Sequence, residues 1–374
     1  MHTLALGLFL FVQTPLLEDP VSSDLRATRV DALRGLLGEI RETQELVGLQ
    51  ATVTVGGDVW LSQAWGYADL DHDVPLTTST RMPVASVTKA LTGVLYLRLL
   101  EQGALQPSQD VRELVPEFPV KSQGVILLDD LVGQMHGIRH YRDEVFPRFF
   151  TRHYDRLEDT LAIFADDELL CAPGERFSYS SYAYSLLGVA LERAGEQGFL
   201  DLLSEEVLQP AGMQRTLSND GRVPIEGRAS CYAYYEFSWP FQERDDLIRV
   251  PPLDFSYNAA GGNLLSTTDD LARFGNSLLR GELLSESSWK RLCSSQATRG
   301  GEPTGWSHGW FVIGSGESFE LRINGSNPGS WAHLRLYPAQ GLVIAMATNT
   351  WGRGSRTAKG LIPTMSRAYE ILRG

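Results

Sequence analysis

Cysteine is scarce in this sequence: Cys171, Cys231 and Cys293 are the only three in 374 residues. They lie far apart with no C-x-x-C spacing. That supports neither a zinc site nor a disulfide framework, and leaves at least one thiol free or paired between chains. Positive charge is in deficit too. Lys and Arg total 33 against 46 Asp and Glu, a net charge of −13, which argues against nucleic acid and anionic membrane surfaces as partners. Outside the N-terminus no apolar run reaches about 18 residues, so no internal membrane span is expected. Internal repeats and low-complexity segments are absent as well. What remains is ordinary for a soluble globular chain: 43% hydrophobic and 21% charged residues, enough for one large domain or two.

Met1 to Val12 read as a short apolar export segment, although the basic region is reduced to His2 and no A-x-A site follows. The expectation is an exported protein, periplasmic or extracellular. The alternative is a cytoplasmic one whose N-terminus is disordered or locally packed. No Cys follows to carry a lipid.

Ser86-Val87-Thr88-Lys89 is the stretch around which the chain is organised. Residues 90–102 are rich in Ala, Leu and Val, contain no Pro and stop at Gly103, which predicts a buried central helix. Ser86 then falls at its N-terminus, where free N–H groups favour developing negative charge. Lys89 is one turn along the same face. Poorly solvated, it would lose its proton more easily and act as a base toward the Ser hydroxyl. The plain alternative is an N-cap Ser followed by a surface Lys, because S-x-x-K alone is a weak signal.

In chain order, residues 26–46 predict an amphipathic helix. Leu49 to Gly56 and Val59 to Trp65 predict two strands around a Gly56-Gly57-Asp58 hairpin turn. From Val111 to about residue 240 the pattern is helical and loop-rich, with helices expected over Asp159 to Ala165, Tyr182 to Ala194 and Phe199 to Leu208. Residues 232–257, aromatic and Pro-containing, read as an irregular covering loop. Ser266-Thr267-Thr268-Asp269 opens a further helix as a capping box. Four strands follow, over His308–Ile313, Phe319–Ile323, Trp331–Tyr337 and Leu342–Thr348, and then a last amphipathic helix near Pro363. The expected fold class is α+β. An antiparallel sheet (about 26–110 and 255–374) is flanked by the first and last helices, and a mostly helical region (about 111–254) is inserted into it. Residues 1–25 are the leader and 26–374 the domain.

Two more segments carry candidate chemistry. Pro173 to Ser181 precedes a helix, and Tyr179 in it is either a packing residue or a proton shuttle beside Ser86. Ile323-Asn324-Gly325-Ser326-Asn327-Pro328-Gly329 is either a plain hairpin turn or a strand edge. As a strand edge it supplies the Ser326 N–H to an oxyanion hole shared with the N–H of Ser86.

The order S-x-x-K, then Tyr-Ser before a helix, then a Gly-containing strand edge resembles the serine β-lactamase and penicillin-binding family. It is most similar to the branch holding class C β-lactamases, D-alanyl-D-alanine carboxypeptidases, related esterases and LACTB-like serine hydrolases. Pro210-Ala211-Gly212-Met213 and Ala260 to Thr267 resemble further stretches of that branch. Gly137-Ile138-Arg139-His140-Tyr141 is similar to the LACTB-like group in particular. The resemblance implies Ser86, Lys89 and Tyr179 as catalytic residues, and Ser86, Ser326, Ser181, Gly325 and Asn324 for oxyanion and substrate binding. It implies no metal and no organic cofactor.

Three positions depart from the family. Ser181 stands for the usual Asn, Ile323 for the usual Lys or His, and Gly133-Gln134-Met135-His136-Gly137 for a T-H-T-S-G loop. His333 or Arg322 are the candidates to replace the missing cation, although a strand His is more often packed. The leading expectation is a serine hydrolase that forms an acyl-enzyme on Ser86 and favours small neutral esters. β-Lactamase or D-Ala-D-Ala carboxypeptidase activity is the narrower alternative. A catalytically impaired module that binds a ligand or peptide in the old cleft is the alternative of another class. The expected partner is a small-molecule or short-peptide substrate.

Overall fold

A computed structural model describes residues 22–142, 152–236, 242–352 and 361–373. The export reading of Met1 to Val12 lies outside the described residues. In chain order the elements used below are α1 (Ser23–Thr43), β1 (Gly48–Val55), β2 (Asp58–Asp69), β3 (Val74–Pro75) and α2 (Thr88–Glu101). Next come α3 (Ser181–Gly195), β4 (Tyr232–Tyr235), β5 (Glu243–Arg249), α4 (Thr268–Leu279) and β6 (Trp306–Ser307). The chain continues with β7 (Trp310–Ile313), β8 (Glu320–Asn327), β9 (Ser330–Tyr337), β10 (Leu342–Thr348), β11 (Thr350–Trp351) and α5 (Leu361–Arg373).

Eight strands form one sheet in the order β3-β2-β1-β10-β9-β8-β7-β6. N-terminal and C-terminal strands meet at its centre, where Leu49 faces Thr348 and Val55 faces Leu342 in antiparallel register. Strand alternation divides the sheet's side chains between two cores. On one face Ala51, Val53, Ile344 and Met346 pack against Leu33, Leu36 and Leu37 of α1 and Met365 of α5. The other face meets α4, which is opened by a Thr267 hydroxyl accepting from Asp270 N. Thr52 reaches Thr268 at 2.8 Å, and Thr54 reaches Asn276 at 2.9 Å.

Helix α2 is apolar on every side, and Leu91, Val94, Leu95, Tyr96 and Leu97 are fully buried. It needs room on one flank: a Cβ at Gly93 would stand 1.7 Å from the His308 carbonyl oxygen. Helix α3 is buried from Ser181 to Leu191. Between them these two helices fill the space behind the sheet, and their N-termini converge.

The structure corrects several local expectations. Within the stretch 232–257, expected as an irregular loop, the described residues include two strands. Strands β4 and β5 pair antiparallel, and β4 also pairs in parallel with β11 in a second, three-stranded sheet. The helix expected over Phe199 to Leu208 is α-helical only for Phe199–Leu203 and continues as a π turn over Ser204–Leu208. Asp159 to Ala165 lies partly in a 3₁₀ segment, Leu157–Ile163. All three cysteines are free thiols.

Candidate active site

Ser86 sits in a 3₁₀ turn, Ala85–Val87, that feeds directly into α2. Ala85 before it has φ +46°, a left-handed conformation that an L side chain adopts only under strain, at a cost of about 1–3 kcal/mol. Such strain collects where a backbone must aim a side chain.

Lys89, one helical turn on, is fully buried. Its Nζ lies 2.6 Å from Gly261 O, 3.0 Å from Ser181 Oγ and 3.3 Å from Ser86 Oγ. Burial pushes its pKa below the usual lysine value, and the neighbouring Tyr179 opposes the shift. No carboxylate among the described residues pairs with it. It lies instead at the N-terminal ends of α2 and α3, whose positive dipole ends disfavour an ammonium. Burial and the two dipole ends both weaken the ammonium relative to that of an exposed lysine.

Tyr179 Oη donates to Ser86 Oγ at 3.0 Å, and Lys89 Nζ lies 5.0 Å from the Tyr179 ring centre. Ser86, Lys89 and Tyr179 therefore converge as the sequence spacing predicts. The Tyr179 turn is held from outside by residues 134–140. Ser178 N donates to Gln134 O and Ser180 N to Gln134 Oε1, both at 2.7 Å. Gln134 is itself fixed by His136, whose Nε2 lies 3.0 Å from Gln134 Oε1 while its Nδ1 accepts from Ile138 N at 2.8 Å. That second bond puts the ring proton on Nε2. Burial pushes the His136 pKa down to about 3, so this ring stays neutral. Gln134 and His136 are parts of the site that sequence reasoning did not place. The only signal was their position in the loop that stands for T-H-T-S-G.

Gly325 touches the nucleophile segment. A Cβ there would lie 2.0 Å from Val84 O and 2.9 Å from Ser86 N. The orientation of the adjacent Ser326 follows from the ladder, in which N–H groups alternate between neighbours. Val312 of β7 donates to Gly305, away from β8. Phe311 and Ile313 are therefore the residues bonded to their opposites, Arg322 and Glu320. Continuing the alternation, the N–H groups of Asn324 and Ser326 point to the β7 side. There β7 covers only Glu320 to Arg322, so Ser326 N–H emerges on an open edge beside Ser86.

Two expected binding residues sit elsewhere. Ser181 is only 3% exposed, beneath Lys89, so it orients the amine rather than facing the cleft. The Asn324 side chain is on the other face of the sheet, where its Oδ1 meets His333 Nδ1 at 2.7 Å. Arg322 shares that face, opposite Arg335, which reaches Ser366 of α5 at 3.3 Å. Neither His333 nor Arg322 can replace the missing cation. His333 is also held neutral, its pKa pushed down to about 3 by burial and by Arg335 and Arg322. Ile323 is 1% exposed and belongs to the core on the α2 side, with Ala332 and Leu334.

One cluster of metal-ligand type occurs among the described residues: His153, Asp220 and Asp254. It lines a separate cavity of about 350 Å³ that includes none of Ser86, Lys89 or Tyr179. Its carboxylates are already engaged, Asp254 with His153 at 2.6 Å and Asp220 with Arg222 at 3.0 Å.

A family model described as Beta-lactamase matches residues 33–362. The human "Serine beta-lactamase-like protein LACTB, mitochondrial" is 28% identical over 336 residues, covering 72% of this chain and 59% of that protein. "Penicillin-binding protein 4*" of Bacillus subtilis (strain 168) is 27% identical over 282 residues, 74% of this chain and 61% of that protein. The chain thus spans about three fifths of the length of these relatives. Among solved structures, the D-amino acid amidase of Ochrobactrum anthropi SV3 has the same fold. Its TM-score is 0.78 at 18% identity, over 92% of this chain and 98% of that one.

Proposed function

The chain belongs to the beta-lactamase family, and from that premise we propose that it is a serine hydrolase working through an acyl-enzyme on Ser86, with small neutral esters as preferred substrates. The observation that supports this most is the convergence of Lys89 Nζ and Tyr179 Oη on Ser86 Oγ, at 3.3 and 3.0 Å, with the lysine buried and unpaired by any carboxylate among the described residues.

In acylation, Ser86 Oγ bonds to the ester carbonyl carbon and its proton passes to the neutral Lys89 amine. The N–H groups of Ser86 and Ser326 hold the oxyanion. Lys89 is wholly buried and cannot reach the leaving group. Tyr179, half-buried and open to the cleft, gives its proton to the departing alkoxide as the C–O bond breaks. In deacylation, water attacks the acyl carbon and yields its proton to Tyr179. Lys89 then returns a proton to Ser86 Oγ as the acyl bond breaks. One ester and one water become one acid and one alcohol, and no cofactor enters.

The preference for neutral substrates rests on Ile323, which puts an aliphatic side chain where the family carries a cation. The test is labelling by a fluorophosphonate, with mass mapping to the Ser86 peptide, together with kcat/KM for a neutral aryl ester and for a penicillin. Ser86→Ala should abolish labelling and lower turnover by several orders of magnitude without unfolding the protein. Faster turnover of penicillin than of the ester would favour the β-lactamase or carboxypeptidase reading. Neither labelling nor turnover would favour a ligand-binding module.

A further inference from the structure

His140 stands between the Tyr179 turn and the base. Its Nδ1 accepts from Ser181 N at 3.2 Å, one of the N–H groups that the first turn of α3 leaves without a helical partner. Its ring stacks on Tyr141, with centres 4.0 Å apart, and meets Tyr179 edge-on at 5.6 Å. Arg139 anchors the same strip: its carbonyl accepts from Ser180 Oγ at 2.7 Å, and its guanidinium binds Asp167 at 2.6 Å. Behind the ring, Tyr141 Oη accepts from Asn258 Nδ2 at 3.2 Å. Ser180 N, O and Oγ and Ser181 N thus meet the 134–140 strip, and Ser181 Oγ meets Lys89.

We propose that His140 is a positioning residue for the reaction, an uncharged acceptor that fixes the corner carrying Tyr179 and Ser181 against Lys89. This rests on the serine hydrolase reading above. The physical reason for a histidine is twofold. Its Nδ1 supplies the acceptor that the Ser181 N–H needs, and the flat ring seals the gap between Tyr141 and Tyr179. The ring must also stay neutral. An imidazolium has no acceptor, so protonation would break the bond to Ser181 N and add a second positive charge near the base. Burial, Lys89 and Arg139 push the His140 pKa down to about 3, so neither happens in the working range. The titratable groups facing Lys89 are Tyr179 and Tyr184 of the α3 side and His140. Tyr141 follows behind Ser181, its pKa raised to about 12 by burial. No carboxylate is among them, and one introduced at 140 would be the first.

The experiment compares His140→Phe, His140→Asn and His140→Asp in the full chain with a neutral aryl ester. Fluorophosphonate labelling serves as the check on Ser86. Phe keeps the stacking and removes the acceptor, and kcat should fall at least tenfold with KM little changed. Asn places an oxygen where Nδ1 was and should recover most of that loss. Asp restores an acceptor but brings a charge that favours the ammonium. The acid limb of its pH–rate profile should move up by roughly one unit, while that of Asn stays in place. A purely packing role would leave Phe the best of the three and Asn no better than Asp. Wild-type kcat in His140→Phe, or an Asn variant no more active than Phe, overturns the proposal while Ser86 labelling persists. Loss of labelling in the wild type would instead overturn the hydrolase reading on which it rests. Should His140→Phe fail to fold, the contrast between Asn and Asp decides.

Discussion

Replacing Lys89 by Met should make this protein inactive and, at neutral pH, more stable. Met has nearly the same length and no charge. The wild-type side chain is fully buried, with three acceptors and no carboxylate. Burying an ion costs several kcal/mol even after relaxation. Against this, Met abandons three hydrogen bonds. Ser86 Oγ keeps Tyr179 Oη at 3.0 Å, and the Ser181 hydroxyl can rotate. Only the Gly261 carbonyl is left without its 2.6 Å partner, a loss of about 1–3 kcal/mol. The net expectation is a gain of about 1–3 kcal/mol for Met at neutral pH, within the range measured when buried ions give way to apolar side chains.

The pH dependence separates this from a generic packing effect. The folded pKa of Lys89 is lowered, while the unfolded value is about 10.4. Between the two, the unfolded chain binds the proton and the native chain does not, so wild-type stability rises with pH. Below the folded pKa the penalty is complete. The advantage of Met should therefore be greatest at the acid end, shrink through the alkaline window and reverse near its top, where only the lost hydrogen bonds count. Urea denaturation of both proteins from pH 6 to 10, followed by tryptophan fluorescence, measures it. A wild-type-minus-Met difference that is flat with pH, or a Met variant less stable throughout, would refute the argument.

Other consequences are as direct. Gly325→Ala should lower kcat/KM about 100-fold or more, because a Cβ 2.0 Å from Val84 O must push β8 and its Ser326 N–H away from the oxyanion; aryl-ester kinetics on the folded variant check it. Ile323→His should raise the ratio of kcat/KM for a carboxylate-bearing β-lactam to that for a neutral ester by roughly one to two orders of magnitude. An unchanged ratio would mean that position 323 does not face the substrate.

Much of the site was legible because its signals are local. Ser86 and Lys89 lie one turn apart at the start of an unbroken apolar run, and Tyr179 precedes the α3 helix it was read to precede. The period of two along β8 was there to be read, yet Asn324 was expected in the cleft and Arg322 stood as a candidate for it. With Gly325 on the cleft side, Ile323 must share its face, and Arg322 and Asn324 must take the other. What could not be read depends on contacts between distant segments. The hold of Gln134, His136 and His140 on residues 178–181 spans some forty positions. Strand β4 pairs on one side with Thr350 and Trp351, more than a hundred residues on. The local pairing of β4 with β5 is masked in the sequence by the aromatic, Pro-containing composition of 232–257.

The charge inventory of the cleft bears on what leaves it. His136 and His140 are neutral, with pKa values pushed down to about 3. Arg139 is bound to Asp167, and Arg322 and Arg335 lie behind the sheet. Among the described residues that leaves Lys89 as the one group beside Ser86 that can carry positive charge, and the reaction needs it neutral. In the proposed reaction a neutral ester is turned into a carboxylate in a site with no cation to retain it. The sign follows: as pH falls through the lowered pKa of Lys89, the ammonium forms and the product should bind more tightly. Inhibition by the acyl carboxylate of the substrate should therefore strengthen over the same pH interval in which kcat/KM declines, by about tenfold for one charge-assisted hydrogen bond. The measurement is the inhibition constant of that carboxylate across the acid limb, in wild type and in Ile323→His. A constant inhibition constant in the wild type would mean that a cation other than Lys89 meets the product, and the explanation of substrate preference by Ile323 would fall with it.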